Sequence, residues 1–209
     1  MTAHTSASWR LDNVVLVPLD GPQQSPLGHV RRGSLRVVGD RIAALGDLAP
    51  LPGETVVDGR GHHVLPGFVQ GHLHCCQTLF RGLADDLPLL EWLSRRIWPF
   101  ENAHDAASTR ASAELTFCEL LRGGTTTVQT MESVRHTEET FATAARLGIT
   151  AIMGNCLMDL DDEALPRRMA QTATAALRTT EALWREFHGR NGRLHVAVAP
   201  RFVLSCSDG

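Results

Sequence analysis

From Gly67 to Ala199 the chain alternates short apolar runs with longer helical patterns, and this alternation restricts the fold more than any other feature. Residues 67–73, 125–130, 149–158 and 194–199 read as strands, the first of them buried. Between them, residues 106–122 read as a helix with Leu115, Cys118 and Leu121 at helical spacing and Gly123 as its stop, and His104-Asp105 looks like its start. Thr137 to Leu147 reads as a second helix, with Thr137 as cap, Glu138 and Glu139 in the first turn and Gly148 at the end. An Ala-rich helix is expected over 166–187, with Pro166 in its first turn. Strands separated by helices of this length make βαβ units, hence an α/β fold with a parallel sheet. A doubly wound sheet and half of a (β/α)8 barrel both fit four strands. No G-x-G-x-x-G follows a strand, so a dinucleotide fold gains no support.

The texture before Pro66 is different. The β-branched runs 11–17 and 34–38, then Val56-Val57 and Val64-Leu65, are bounded by Gly21-Pro22, Pro26, Gly28, Gly39, Pro50 and Pro52-Gly53. Short strands with frequent turn signals predict a small β-unit over roughly residues 9–65. The division expected is therefore 1–65 and 66–209.

Composition narrows the function classes. A net charge of -3 gives no basic surface for nucleic acid and no polybasic membrane patch. All 20 basic residues are arginine. Cys75, Cys76, Cys118, Cys156 and Cys206 make an odd count without a C-x-x-C pair, which argues against a disulfide framework or zinc ribbon and fits a reducing cytoplasm. Residues 1–9 lack the apolar core of a signal peptide, and no run of about 18 apolar residues predicts a membrane span. The expected partner is a small-molecule substrate; a homo-oligomer is compatible with the residues but not dictated by them.

Chemistry enters at His72 and His74. They stand two apart at the end of an expected strand, where residues i and i+2 share a face and Leu73 points the other way. In a barrel, two imidazoles at a strand's C-terminal end face the mouth, where such folds do chemistry. That arrangement suits one divalent ion, zinc first and ferrous iron second. By itself H-x-H is weak, since two ordinary histidines at a strand end would look the same.

The run Pro66-Gly67-Phe68-Val69-x-x-His72-x-His74 resembles the first-strand signature of the amidohydrolase superfamily. Residues Gln77 to Leu93, Ile97-Trp98-Pro99-Phe100-Glu101 and Gly123-Gly124-Thr125-Thr126-Thr127 resemble its branch that deaminates methylthioadenosine, adenosylhomocysteine and 5'-deoxyadenosine. Asn155 to Asp159, Pro200-Arg201-Phe202 and Ser205-Cys206-Ser207 also resemble guanine deaminases. The resemblance implies an incomplete (β/α)8 TIM-type barrel, its first four strands present, preceded by part of a β-sandwich. It implies metal-assisted addition of water to the amino-bearing ring carbon, with loss of ammonia. A third metal histidine, a proton-shuttling Glu, a further His and an Asp would lie beyond Gly209, so the chain alone is expected to be inactive. With no lysine anywhere in these residues, a metal bridge through carboxylated lysine is excluded for them.

The resemblance also assigns substrate contacts. Gln77 matches a base-contacting Gln of guanine deaminase. Glu101 matches a Glu that holds ribose hydroxyls, for which a carboxylate is well suited. Arg201 falls where nucleoside deaminases carry a His and guanine deaminase an Arg. Phe202 is placed to stack on a purine and Trp92 to wall the pocket. Each has an ordinary reading as a surface polar group, strand end or core aromatic. Cys75 and Cys76 are expected to be small buried residues. His136-Thr137-Glu138 matches half of the nucleobase-editing deaminase signature, but no P-C-x-x-C completes it. The alternatives are a guanine-type or triazine-ring hydrolase on the same scaffold, and a truncated non-catalytic protein.

Overall fold

The computed structural model describes residues 8–159 and 165–207 and divides at Pro66 into two units. In the first unit, β1 (Ser8–Leu16) pairs antiparallel with β2 (Arg31–Val38) and parallel with β4 (Thr55–Asp58) and β5 (His63–Val64). β2 pairs in turn with β3 (Arg41–Gly46), a strand that the β-branched runs did not reveal. The β2–β3 connection is the two-residue turn Gly39-Asp40; Gly39 has φ 62, a conformation that costs glycine little. Val14, Leu16 and Leu35 form the small core.

Behind this sheet lies an ion network. Arg10 bonds both carboxylate oxygens of Asp12, at 2.6 and 2.8 Å, and the carbonyl of Leu48. Arg36 bonds both oxygens of Glu54 and the carbonyl of Ala49, tying the loop before β4 to β2. The Arg36 hydrogen bond, above all, lowers the Glu54 carboxyl to about 2 from its ordinary 4.5.

In the second unit, β6 (Phe68–Leu73), β7 (Thr125–Met131), β8 (Thr150–Gly154) and β10 (Leu194–Val196) form a wholly parallel sheet in that order. Each new strand is added on the same side, so the order never reverses as it does in a doubly wound sheet. Helices α3 (Ala106–Arg122), α4 (Thr137–Leu147) and α5 (Ala173–Phe187) supply the crossovers. Phe117, Val128, Phe141, Met153, Leu183 and Phe187 lie in the core between helices and strands. Short helices α1 (Leu89–Trp92) and α2 (Trp98–Ala103), joined by a π-turn over Leu93–Ile97, pack into a second apolar cluster. Among the described residues no helix is long and apolar enough to cross a membrane.

Several expectations need correction. β6 is exposed rather than buried, with Phe68 at 54% and Val69 at 70%, because it is an edge strand of this sheet and bonds β7 alone. The third and fourth strands each break. Asn155 separates β8 from β9 (Cys156–Leu157), and residues 197–198 separate β10 from β11 (Ala199–Pro200), which pairs with β9. Gly154 sits at the break, where a Cβ would meet the Ala197 carbonyl oxygen at 2.4 Å. On α3, Leu115, Cys118 and Leu121 share the exposed face; Ser112, Ala113, Thr116 and Phe117 are the buried ones. α5 starts at Ala173 with Thr172 as its cap, because Pro166 to Met169 turns to bury Met169 in the second cluster. Thr137 does not cap α4: His136, at φ 62, holds that position, and the Thr137 hydroxyl donates to the Ser133 carbonyl. Asp105 does cap α3, in a reciprocal capping box with Ser108. Of the acidic run 159–163, all but Asp159 lies outside the described residues.

A carboxylate whose folded-state pKa is depressed contributes stability that is complete above its unfolded value and disappears as the pH falls through the folded one. For Glu54 that window runs from about 4.5 down to about 2. Thermal melts followed by circular dichroism between pH 6 and 2 are expected to show a shallower loss of Tm in Glu54→Gln than in the parent. Parallel curves for the two proteins would show that the Arg36–Glu54 contact contributes nothing pH-dependent.

Candidate metal and substrate site

The site residues stand at the C-terminal ends of the parallel strands of the second unit. β6 delivers His72 and His74 side by side, their ring centroids 4.9 Å apart and edge to face. Leu73 between them packs against the core, as strand alternation requires. His72 is exposed and His74 half-buried. His74 Nδ1 lies 2.7 Å from the Met131 carbonyl oxygen. A carbonyl only accepts, so Nδ1 is the donor in this bond and Nε2 takes no part in it. A backbone carbonyl orienting one ring nitrogen is the usual outer support of a metal-ligating histidine.

After His74 the chain enters a 3₁₀ turn, Cys75–Phe80. Its first peptides are fixed from three sides. The Cys75 and Cys76 N–H groups donate to the two oxygens of Glu132, at 3.1 and 3.0 Å. Ser112 Oγ on α3 donates to the Cys75 carbonyl at 2.6 Å. His104 Nε2 donates to the Cys76 carbonyl at 2.7 Å, and its Nδ1 lies 2.9 Å from Ser108 Oγ. Burial pushes the Glu132 carboxyl above its ordinary range, while the Thr130 hydroxyl and then the two N–H groups pull it back. Burial, reinforced by neighbouring carboxylates, pushes the Cys75 and Cys76 thiols well up.

The same turn carries Gln77 to Glu101 on α2. Gln77 Nε2 donates to Glu101 Oε1 at 2.9 Å, and Arg201, following β11, approaches Glu101 Oε2 at 3.3 Å. The Glu101 and Arg201 side chains are 2% and 6% exposed, so this is a buried ion pair. Arg201 also lies 3.6 Å from Cys156 Sγ; burial raises that thiol to about 11. A carboxylate offers about four lone-pair positions, so each Glu101 oxygen has capacity beyond its one strong partner. Trp92 lines a cleft of about 180 Å³ with Gln77, Phe80 and Ile97. Phe202 is half-buried against the second apolar cluster, alongside Trp92.

The structure thus brings Gln77, Glu101 and Arg201 together, sets His72 beside His74, and puts Trp92 on the Gln77 cleft. Sequence reasoning missed Glu132 and the bracing role of His104 and Ser112. The available signal for Glu132 was a carboxylate two residues past the strand expected over 125–130. The donor chemistry fits a divalent ion in part: two imidazoles suit zinc or ferrous iron. Among the described residues, no three His, Cys, Asp or Glu side chains form a cluster that could hold one.

Residues 63–209 match the model of the amidohydrolase family. The 5'-deoxyadenosine deaminase of Methanothermobacter thermautotrophicus is 34% identical over 200 residues, covering 95% of this chain and 44% of that protein. The guanine deaminase of E. coli superposes with a TM-score of 0.83 at 26% identity, over 97% of this chain and 48% of that one. The zinc-complexed atrazine chlorohydrolase TrzN of Arthrobacter aurescens, 19% identical with a TM-score of 0.81, covers 95% of this chain and 48% of that one and shares the fold. The chain spans less than half the length of each of these relatives. The match over residues 63–209, which takes in the paired histidines and all the residues gathered around Glu101, means that this chain belongs to the amidohydrolase family.

Proposed function

We propose that this chain supplies two metal ligands, His72 and His74, and the substrate-facing residues of a hydrolytic deaminase acting on a purine nucleoside such as 5'-deoxyadenosine. Its four parallel strands are then the first half of a (β/α)8 barrel, and the β-unit before them is part of a sandwich. The observation that carries the reading is the paired imidazoles, with His74 Nε2 left free by the Met131 bond, at the same strand ends as a buried Gln77–Glu101–Arg201 cluster. The relatives' names support the substrate class. A bound divalent ion, zinc in the first instance, would activate water for addition at the amino-bearing carbon. Overall, oxygen from water replaces the amino group and ammonia leaves. This chain's own residues bind and orient: Glu101 accepts from ribose hydroxyls, held in place by Gln77 and Arg201, while Trp92 and Phe202 give the purine an aromatic wall.

A second reading, a guanine-type deaminase, is favoured by one observation. Gln77 and Arg201 sit on the same carboxylate, where an amide and a guanidinium could together read polar substituents of a bare purine.

Ammonia release from 5'-deoxyadenosine, adenosine and guanine with excess zinc tests both readings. The assay compares the 209-residue chain alone with the chain supplied with the C-terminal portion of the Methanothermobacter relative. The chain alone is expected to be silent, because two histidines fall short of the three protein ligands usual in catalytic zinc sites. The completed protein is expected to turn over, with nucleoside preferred and His72→Ala inactive. Turnover by the chain alone, well above its His72→Ala variant, would overturn the two-ligand account.

In the completed protein, Glu101→Gln is expected to raise KM for the nucleoside about tenfold, and to leave KM for the free base nearly unchanged. Losing a charge-assisted hydrogen bond to a hydroxyl costs roughly 1.5–3 kcal/mol. Equal rises for nucleoside and base would remove Glu101 from the ribose and favour the second reading.

A further inference from the structure

Glu132 has no role in any step described so far, yet it is 3% exposed and each of its carboxylate oxygens accepts a backbone N–H group. The N–H groups that open a 3₁₀ or α-helical turn have no partner within it, and the first internal bond here is Gln77 N–H to the His74 carbonyl. Solvent or a short capping side chain commonly serves such groups. At this turn His74 makes no side-chain cap, because its ring is turned to Met131. Glu132, the next residue after Met131, supplies the missing acceptors from the neighbouring strand end.

The geometry has a directional consequence. The Glu132 backbone N–H is itself anchored to the Gly154 carbonyl at the end of β8, at 2.8 Å. Its carboxylate meets Cys75 and Cys76 with one oxygen each, so the turn cannot pivot about a single bond. One residue earlier, the Met131 carbonyl receives His74 Nδ1. Residues 131 and 132 therefore hold His74 by its ring and hold the two peptides that follow it by their N–H groups. We infer that Glu132 is a positioning residue, whose carboxylate locks the turn after His74 so that Nδ1 stays on Met131 and Nε2 is presented for metal. The inference rests on reading His72 and His74 as ligands, but its geometry can be tested without that reading. Glutamine cannot substitute, because its NH₂ would face one of the two N–H donors. Aspartate keeps both acceptors but is one methylene shorter.

The test uses the 209-residue protein with ¹⁵N-labelled histidine rings. Long-range ¹H–¹⁵N spectra report which nitrogen of each imidazole carries the proton, and competition with a chromogenic chelator reports zinc affinity. Wild type is expected to show His74 as the Nδ1–H tautomer. Glu132→Gln is expected to mix the His74 tautomers and weaken zinc at least tenfold, in the range that supports of ligating residues command. Ile149→Val, a core control in the same unit, is expected to leave both readouts unchanged. A folded Glu132→Gln protein with wild-type tautomer and affinity overturns the inference. Zinc binding indifferent to His72→Ala overturns the ligand reading instead, while the tautomer result still decides the role of Glu132. Should Glu132→Gln fail to fold, hydrogen exchange on the wild type decides: strong protection of the Cys75 and Cys76 amides is expected, and exchange at open-loop rates overturns the inference.

Discussion

The peptide unit joining Cys75 to Cys76 is the point through which the candidate site is organised. Both of its residues are buried, and their N–H and carbonyl groups have partners on β7's C-terminal side, on α3 and on the segment after α2. On one side of this unit stands His74, bonded to Met131; on the other, two residues on, stands Gln77, bonded to Glu101 and through it to Arg201. A continuous series of hydrogen bonds thus runs from the end of β7 to the residue following β11. His74 and the Gln77–Glu101–Arg201 cluster are held in one frame rather than on separate loops. Sites supported this way keep their geometry because each ligand's rotamer is fixed by a neighbour that is itself fixed.

Buried carboxylates do different work in the two units. In the first unit, Glu54 and Asp12 face Arg36 and Arg10 and fasten a loop to a sheet, and the lowered Glu54 carboxyl reflects that pairing. The partners of these carboxylates among the described residues are arginines that fasten loop to strand, a reminder that a perturbed carboxyl does not by itself mark a site. In the second unit, Glu101 has an arginine beside it, but Glu132 is served by peptide N–H groups and shifts the opposite way. Taking a carboxylate out of water for two backbone bonds is costly compared with an apolar side chain. That cost makes sense where the peptides being held carry the histidine pair.

Much of the second unit was legible because its signals are local. Alternating patterns located all four strands of the parallel sheet, Asp105 and Gly148 marked helix ends, and the i, i+2 spacing put the two imidazoles on one side. What escaped depends on partners distant in sequence. Whether Leu115 or Ala113 faces inward on α3 depends on Ser112 and Thr116 meeting the turn after β6, which no window around α3 contains. The break at Asn155 depends on Gly154 lying against Ala197, over forty residues away. The β3 strand escaped because Arg41 to Gly46 lacks a β-branched run and is defined by pairing with β2. Glu132 escaped for the same reason: a lone Glu after a strand looks solvated until the strand beside it delivers two N–H groups. Gln77, Glu101 and Arg201 were marked through family resemblance, and only the fold reveals that they touch.

The cysteines next to the histidine pair feel the same carboxylates. Cys75 and Cys76 follow His74 directly, and a thiolate there would be a stronger and softer ligand than either imidazole. Both thiols are buried, and ionising them is opposed first by desolvation and then by Glu132, with Glu101 adding to the effect at Cys76. Cys156, beside Arg201, is likewise raised to about 11 by burial, although the guanidinium works against the rise. Un-ionised thiols are poor nucleophiles. On the function proposed, the donors offered to a cation are the imidazoles of His72 and His74, borderline ligands suited to zinc or ferrous iron. The Glu132 carboxylate that holds the turn therefore also helps keep the two thiols within it un-ionised, so one buried arrangement fixes the turn's peptides and quiets its cysteines.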